Sequence, residues 1–445
     1  MSRHLLNVIA TILPLSLTSG LLAADAFEEP PISYSSSTPD NCISALQSKI
    51  DSGKVVLKYD DQFGYLPDVL GSLGVPIESQ MFVFSKTSLQ LRRISPKTPR
   101  AIYFNDNVYI GFCQDGDVLE VSASDPQLGT VFYSMRQEQQ ERPQFRRHTD
   151  ACMVCHSSSR TDGVPGHLVR SVFVDTEGTP ILSSGSRVVD HTTPFEHRWG
   201  GWYVTGTHGS QQHLGNLTID GRDVPKSLDN SAGQNVSALA DRFDTTEYLS
   251  PHSDIVALMV LEHQTLMHNR LTKANFATRQ ALAHEKMLNE MLENPADKRL
   301  DSTTRRIQNA GNDLVDALLF VGEARLREPI AGTSNFSRVF SERGPHDKAG
   351  RSLRELDLQT RLFRYPCSYL IDSDAFHGLH AEMKSYVWQR LWEILSGADQ
   401  SERFAHLSKA DRQAIIEILQ ATIRDLPEAW TASSEAATRV NTASN

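Results

Sequence analysis

The sequence predicts an α+β protein with three parts: an antiparallel β-meander domain near the N-terminus, a middle of hairpins and loops packed on a long helix, and a helical C-terminal region. Three observations support this prediction. Short β-rich runs alternate with turn signals between residues 101 and 133, apolar residues recur at helical spacing from 253 to about 292, and helix caps mark the last third.

Four short runs rich in β-branched and aromatic residues predict the strands of the meander. The segments between them contain Asn-Asp-Asn, Asp-Gly-Asp and Asp-Pro-Gln-Leu-Gly, which are typical of turns. Consecutive strands joined by short turns pair antiparallel. The predicted strands cover residues 101–104, 108–112, 118–121 and 131–133.

The other elements are predicted from turn and cap signals. Residues 168–174 and 179–182 flank Asp-Thr-Glu-Gly, which predicts a further hairpin. The spacing of apolar residues predicts a long amphipathic helix with Ser253 as its N-cap. A helix over 377–395 precedes Gly397, and a capping-box pattern at Ser408 begins a last helix that runs to about Ile423.

Length and composition limit the possible classes of protein. The 445 residues are enough for two or three domains with buried cores. The chain is 39% hydrophobic and 22% charged, which excludes wholesale disorder and a multi-span membrane protein. Its formal net charge of −10 argues against nucleic acid as the main partner and favours a basic protein or a small molecule.

The N-terminal residues predict export. Arg3 and His4 precede a mostly apolar stretch from Leu5 to Leu22, and small residues follow, with an Ala-Asp-Ala site that ends at Ala26. This order is typical of a cleaved secretory signal peptide. A membrane anchor is the weaker interpretation, because polar residues and a proline interrupt the apolar stretch. We therefore expect a periplasmic or secreted mature protein without a transmembrane span.

The strongest motif is Cys152-Met153-Val154-Cys155-His156, which has the pattern C-x-x-C-H. This pattern indicates covalent attachment of a c-type haem. Two thiols at this spacing reach the two vinyl groups on one edge of a porphyrin, and the next residue places an imidazole under the iron. The pattern occurs once, so it predicts one haem.

Two other interpretations of the motif are open. A redox-active dithiol also has the spacing C-x-x-C, but it usually follows a strand in a βαβ unit, which the flanking sequence does not predict. A zinc site needs two further Cys or His ligands at short spacing, and no second C-x-x-C is present. Of the other cysteines, Cys42 and Cys113 could pair in an oxidising compartment, which leaves Cys367 unpaired.

The motif resembles that of c-type cytochromes over five residues of the 445. Carried over residue by residue, the resemblance makes Cys152 and Cys155 the thioether links and His156 the proximal ligand of the iron. In the small class of these cytochromes the sixth ligand is a methionine some tens of residues downstream. Here no Met occurs between Met153 and Met259, so the sequence departs from that pattern.

Histidines are concentrated around the motif and supply candidates for the opposite side of the iron. Eleven of the 16 lie between His148 and His284, where about 5 would be expected at random. Met259, His263 and Met267 share one helix face; such a stripe is more often core than ligand, and His263 is the member we single out as a distal or catalytic group. The other candidates are His167, His191, His197, His208, His213 and His268.

Haem propionates inside a protein need basic partners. Among the arginines nearest in sequence, Arg170 and Arg198 are the expected cofactor-binding residues, and Trp202 is expected to stack on or donate to the porphyrin edge. Each of these arginines could equally be an ordinary surface charge. The remaining basic candidates are Arg147 and Arg187, and Trp199 is a second aromatic candidate.

Three functions are compatible with a haem c protein. The first is electron transfer to a partner protein, for which the negative charge favours a basic surface. The second is a peroxidase- or oxidase-like enzyme, in which a histidine acts as acid and base and an arginine stabilises developing charge. The third is a sensor that captures a small diatomic ligand. We expect electron transfer, with the enzyme and the sensor as alternatives; the enzyme would explain the histidine enrichment and a chain larger than a carrier needs.

The predicted organisation follows from these signals. It consists of a signal peptide at 1–26, a flexible lead-in at 27–40, the β-rich domain at 41–145, a haem c domain at 146–300, the helical region at 301–430 and a disordered tail at 431–445.

Overall fold

The structure is a computed structural model that describes residues 26–150, 152–428 and 430. Its fold is α+β, as predicted, with one six-stranded antiparallel sheet and helices before and after it. The predicted signal peptide, apart from Ala26, and the predicted tail lie outside the described residues.

Two short helices precede the sheet and were not predicted; they are α1 Cys42–Asp51 and α2 Leu66–Leu73. The side chain of Asn41 accepts the backbone N–H of Ser44, and the Ser44 hydroxyl accepts that of Asn41. This reciprocal capping box begins α1 with Asn in place of the usual Ser or Thr.

The segment at 27–40, expected to be a flexible lead-in, contributes to the core. Ile32 and Tyr34 are buried, and the Tyr34 hydroxyl donates to the carbonyl of Thr130 at 2.8 Å. Its polar composition predicted a loop without contacts, but two apolar anchors are enough to pack it against the sheet.

The sheet is a meander of six strands, in which neighbours in the chain are neighbours in the sheet. The strands are β1 Met81–Val83, β2 Arg100–Phe104, β3 Val108–Phe112, β4 Val118–Asp125, β5 Gly129–Arg136 and β6 Phe145–His148. The four predicted strands are confirmed as β2 to β5. The sequence did not predict β1, which has only three residues, or β6, whose Phe-Arg-Arg-His lacks the β-branched residues of a typical strand.

The two faces of β1, at the edge of the sheet, enter two different hydrophobic clusters. In β1, Phe82 belongs to one cluster, whereas Met81 and Val83 belong to the other. Successive residues of a strand point to opposite faces, so the sheet separates the clusters at this edge.

The middle of the chain is mostly irregular, as expected for hairpins and loops. Its elements are α3 Met153–His156, β7 Val169–Ser171, β8 Arg187–Val189 and β9 Gly206–Thr207. The hairpin predicted here is confirmed only in part. Val174 bridges Pro180 across the predicted turn, but β7 forms its ladder with β8, further along the chain.

The longest helix is α4, Ile255–Met291, which confirms the helix predicted over 253–292. Its N-cap is Asp254, not Ser253: the Asp254 carboxylate accepts the backbone N–H groups of Val256 and Ala257. The prediction of an amphipathic helix was wrong for its first half, because every residue from 255 to 265 is buried. A helix buried on all sides forms the centre of a fold.

The C-terminal region is helical, as predicted, and its elements are α5 Asp301–Leu318, β10 Ala331–Gly332, α6 Phe336–Glu342, α7 Asp374–His377, α8 Ala381–Leu395 and α9 Lys409–Thr422. The helix predicted over 377–395 begins later, at Ala381, because α7 ends at His377 and His380 caps α8. The capping box at Ser408 is confirmed. Among the described helices, none is both long and apolar enough to cross a membrane.

Candidate functional site

The C-x-x-C-H motif forms one helical turn. The carbonyl of Cys152 accepts the backbone N–H of His156 at 3.1 Å, and α3 spans the rest of the motif. Residues three and four apart in a helix lie on one side, so the turn places Cys152, Cys155 and His156 on neighbouring positions of one surface. Cys155 is exposed and Cys152 is half-buried.

One face of the sheet supports this turn. The ring of Phe132 on β5 lies 4.8 Å from that of His156, measured between centroids. In the register of the sheet, Phe132 is opposite Ser122 on one side and His148 on the other, so these three side chains share the face that contacts the motif.

The imidazole of His156 is held in one tautomer. Its Nδ1 lies 2.9 Å from the carbonyl oxygen of Gly166, and because a carbonyl can only accept, Nδ1 carries the proton. Among the described residues, Nε2 has no hydrogen-bond partner. Burial lowers the pKa of His156, which keeps the ring neutral and leaves the Nε2 lone pair available to a metal.

The environment of the thiols bears on the dithiol interpretation. Both motif cysteines are free, and burial raises the pKa of Cys152 to about 11. A redox-active dithiol needs the opposite, a lowered pKa that favours the thiolate. Cys42, Cys113 and Cys367 are also free, so the structure does not contain the pairing considered for the first two, and Cys367 is buried as expected.

The same face of the sheet brings a polar set of side chains to the motif. Arg100 and Glu120 form an ion pair at 2.5 Å with both side chains half-buried, and their charges act on the pKa of His156 in opposite directions. Beside them, Ser134 is hydrogen-bonded to Nε2 of His148 at 2.8 Å.

Arg170 is the basic residue that the structure places next to the motif. Burial lowers its pKa, the charge of Arg160 lowers it further and that of Cys155 raises it, so both groups lie within electrostatic reach. Nη2 of Arg170 donates to Ser186 at 3.0 Å, whereas its Nε is buried without a hydrogen-bond partner among the described residues. Trp202 donates from Nε1 to the carbonyl of Arg170 at 2.8 Å and thereby holds the strand that carries it.

Arg198, the other expected cofactor-binding arginine, is hydrogen-bonded to protein groups. Its Nη1 donates to Glu262 at 2.8 Å, and Nε and Nη2 donate to the carbonyls of Thr193 and His191. All three guanidinium nitrogens of Arg198 therefore donate hydrogen bonds to protein acceptors. A propionate would have to displace a fully desolvated salt bridge, so the structure gives no support to this expected role.

His263 is fully buried on α4, and both of its ring nitrogens contact other side chains. Nδ1 lies 3.1 Å from Nδ1 of His191, and Nε2 lies 2.8 Å from the hydroxyl of Ser368. Its ring also stacks on Phe320 at 4.1 Å. The structure thus places His263 in a buried polar network with His191 and Ser368, and Met259 and Met267 beside it are core residues.

The other histidine candidates separate into two groups. His167 lies close to the motif, but its nitrogens contact the hydroxyls of Ser122 and Thr130. His208 and His213 form a second buried pair, with ring centroids 4.7 Å apart. Within the described part of the chain, no cluster of three or more His, Cys, Asp or Glu side chains is arranged to hold a metal ion.

Two cavities lie away from the two motif cysteines. One of about 170 Å³ is lined by Asp106, Arg354 and Tyr369 in the C-terminal half. The other, of about 150 Å³, has Gly163 and Val164 in its wall, in the loop that follows the motif.

The residues present fit a covalent haem. Two free thiols stand on one helical turn, and the proton of His156 is fixed on Nδ1, so that Nε2 is the nitrogen able to bind iron. In addition, Nε of Arg170 is buried without a hydrogen-bond partner among the described residues, and a carboxylate could satisfy it.

Sequence reasoning missed Gly166, Asn269 and His148, which complete the surroundings of the motif. Only His148 had a local signal, since it stands eight residues before His156. The contact of Asn269 with this region spans 102 residues of the chain, which no local pattern reports.

No protein-family model matches this sequence, and comparison with curated proteins and with solved structures found no match. The function is therefore argued from the site alone.

Proposed function

We propose that this chain is an exported monohaem c-type cytochrome, which transfers electrons through one haem bound covalently to Cys152 and Cys155. The observation that carries the proposal is the arrangement of His156, which directly follows two free thiols: its Nδ1 donates to the carbonyl of Gly166, and its Nε2 accepts no hydrogen bond from the described residues. When bound, the haem supplies one-electron redox chemistry.

The protein supplies the position and electronic character of the axial ligand. The carbonyl of Gly166 holds the proton on Nδ1 of His156, which fixes the tautomer and raises the basicity of Nε2. Phe132 packs against the imidazole and limits its rotation.

Arg170 is the proposed partner of a propionate. Its guanidinium has one buried donor without a hydrogen-bond partner in the described part of the chain, and Arg160 lies within electrostatic reach of it. Charge-assisted hydrogen bonds from Arg to a carboxylate are among the stronger polar interactions in proteins. Neutralisation of these two arginines by propionates would leave the net charge of the chain negative, which supports a redox partner with a basic docking surface.

The motif lies at the protein surface, which suits exchange of electrons with another protein. Val154 is 81% exposed and Cys155 is exposed beside it. Together with the expected signal peptide, this supports a periplasmic or secreted electron carrier.

The test is retention of colour. The mature protein, produced in a host that attaches haem c, should stay red after acid–acetone extraction, and its mass should exceed that of the polypeptide by one haem. The double variant Cys152→Ala with Cys155→Ala should lose the pigment. The matched control is Cys113→Ala, a free buried cysteine outside the motif, which should stay red. Release of free haem from the wild type, or a bare polypeptide mass, would refute the proposal.

A peroxidase-like activity is the second candidate, and the polar set on the supporting sheet face favours it. Glu120, Arg100 and His148 supply acid, base and cationic groups near the motif. Ferric protein that is high-spin and binds cyanide rapidly would favour this enzyme. A low-spin form indifferent to cyanide would favour the carrier.

A further inference from the structure

We propose that Asn269, on α4, is the residue that positions His156, through the backbone of Gly166 and His167. This inference rests on the proposed function, because it assigns the support of the proximal ligand. It concerns a residue that is 113 positions away from His156 in the chain.

The side-chain amide of Asn269 is paired twice with the backbone of His167. Its Oδ1 accepts the N–H of His167 at 2.9 Å, and its Nδ2 donates to the carbonyl of His167 at 2.8 Å. Asn269 is buried, so water does not compete with these bonds. The amide bonds both the N–H and the C=O of one residue, as a neighbouring β-strand does, and so fixes that residue within an irregular segment.

The next residue toward the motif is Gly166, whose carbonyl accepts Nδ1–H of His156 at 2.9 Å. A Cβ at position 166 would lie 2.3 Å from Oδ1 of Asn269. Only glycine allows this approach without a shift of Asn269, whose two hydrogen bonds to the backbone of His167 we call the clamp. The carbonyl that orients the imidazole therefore belongs to the peptide unit that Asn269 holds.

The sheet fixes the same segment from the other side. The ring of His167 contacts the hydroxyls of Ser122 and Thr130, at 2.9 and 3.1 Å. Residues 166 and 167 are thus held between α4 and the sheet. The N–H of Gly166 also donates to the carbonyl of His156 at 2.8 Å, which ties the two residues directly. Because the N–H and C=O of His167 are both bonded to Asn269, we expect a shift of Asn269 to turn the peptide unit that carries the Gly166 carbonyl.

The position of that carbonyl decides how strongly the imidazole donates to a metal. A strong hydrogen bond from Nδ1 gives the ring more anionic character and stabilises the higher oxidation state of iron. Loss of the clamp should weaken the bond and shift the reduction potential of the holoprotein to a more positive value.

The experiment compares Asn269→Ala with Asn275→Ala in the full-length holoprotein. Asn275 is buried on the same helix and donates from Nδ2 to the carbonyl of Pro126 at 2.8 Å, but it does not contact the motif. Both variants should lose stability. Only Asn269→Ala should raise the reduction potential. It alone should also accelerate exchange of the His156 Nδ1 proton, and the rate should rise by about fivefold, which corresponds to the loss of one ordinary hydrogen bond.

Two further variants cover the case in which Asn269→Ala does not fold. Asn269→Asp keeps the acceptor for the N–H of His167 and removes the donor, so it should accelerate exchange of the His156 Nδ1 proton less than Asn269→Ala does. Its potential is not compared, because the added carboxylate charge lowers the potential by itself. Gly166→Ala leaves Asn269 in place but pushes against its Oδ1, and it should reproduce the effect of Asn269→Ala.

The readouts separate this inference from the proposed function. The Nδ1 proton of His156 is measured by NMR on the protein as isolated, with or without haem. The cytochrome proposal fails if the wild type carries no haem. The positioning role still stands in that case if the His156 Nδ1 signal differs from the wild-type signal only in the Asn269 and Gly166 variants. If those variants change potential and Nδ1 exchange no more than Asn275→Ala, Asn269 is merely structural and the inference is wrong.

Discussion

Arg198 and Glu262 form a salt bridge at 2.8 Å in which the side chains are 3% and 0% exposed. Nε1 of Trp199 donates to the second carboxylate oxygen, so both oxygens of Glu262 are bonded. Glu262 lies on α4 and Arg198 in the irregular middle segment, and the pair joins the two parts of the fold. A buried pair of this kind is costly to break from one side, because the remaining charge stays desolvated.

We predict that Glu262→Gln lowers the free energy of unfolding by about 3 to 5 kcal/mol, because it keeps the packing but leaves Arg198 without a counter-charge. Urea denaturation measures this. Glu417→Ala, which removes the half-exposed partner of Arg351, is the control and should cost about 1 kcal/mol or less. Haem content per folded molecule should stay unchanged. A selective loss of haem in Glu262→Gln would instead place Arg198 at the cofactor.

For His263 we predict no effect on the iron. His263→Asn should leave the ferric absorption spectrum as it is, because both ring nitrogens serve buried contacts to His191 and Ser368. Stability should fall by about 1 to 3 kcal/mol, since the substitution leaves buried polar groups without partners. A change from low to high spin in the spectrum would show that His263 is an iron ligand and would contradict the structure.

Arg170→Gln should shift the reduction potential to a more negative value, because removal of a positive charge near the haem favours the oxidised state. Potentiometric titration measures the shift. Arg187→Gln is the matched control: Arg187 is exposed on β8, the strand paired with the one that carries Arg170. Equal shifts in the two variants would mean that Arg170 acts only through general charge and does not bind a propionate.

Buried neutral histidines should make the fold sensitive to acid. Burial, followed by the charge of His208, lowers the pKa of His213 to about 3. An unfolded histidine titrates near 6.5, so between pH 6.5 and 3 the unfolded state binds the extra proton, and stability falls as the pH falls. At pH 5 this one group should lower the free energy of unfolding by about 2 kcal/mol relative to its value at pH 7.

Between pH 7 and pH 5, the free energy of unfolding of the variant His213→Asn should therefore fall by about 2 kcal/mol less than that of the wild type. Asn is chosen because its side-chain oxygen can replace Nδ1 as acceptor for the N–H of Gly215. His284→Asn, at an exposed position, should keep the wild-type pH dependence. Parallel pH profiles for wild type and His213→Asn would show that His213 protonates in the folded protein as freely as in the unfolded chain.

The sequence by itself determined the features whose signals are local. The spacing of Cys152, Cys155 and His156 is set by one turn of chain, and the structure forms that turn as α3. Alternation and turn residues identified β2 to β5, and helical periodicity identified α4. In each case the residues that cooperate are neighbours in the chain, so their pattern can be read without the fold.

Tertiary structure alone decided which side chains surround the motif. Arg170 and Arg198 are equally plausible in sequence, yet Arg198 forms a salt bridge with a buried carboxylate 64 residues further along. Nε of Arg170, by contrast, is buried without a hydrogen-bond partner among the residues that the structure describes. The strand β6 exists because β5 offers it a backbone ladder, not because of its own composition. Burial, pairing and hydrogen-bond competition depend on residues brought together from distant parts of the chain, and the energies that select among them arise only once the core has excluded water.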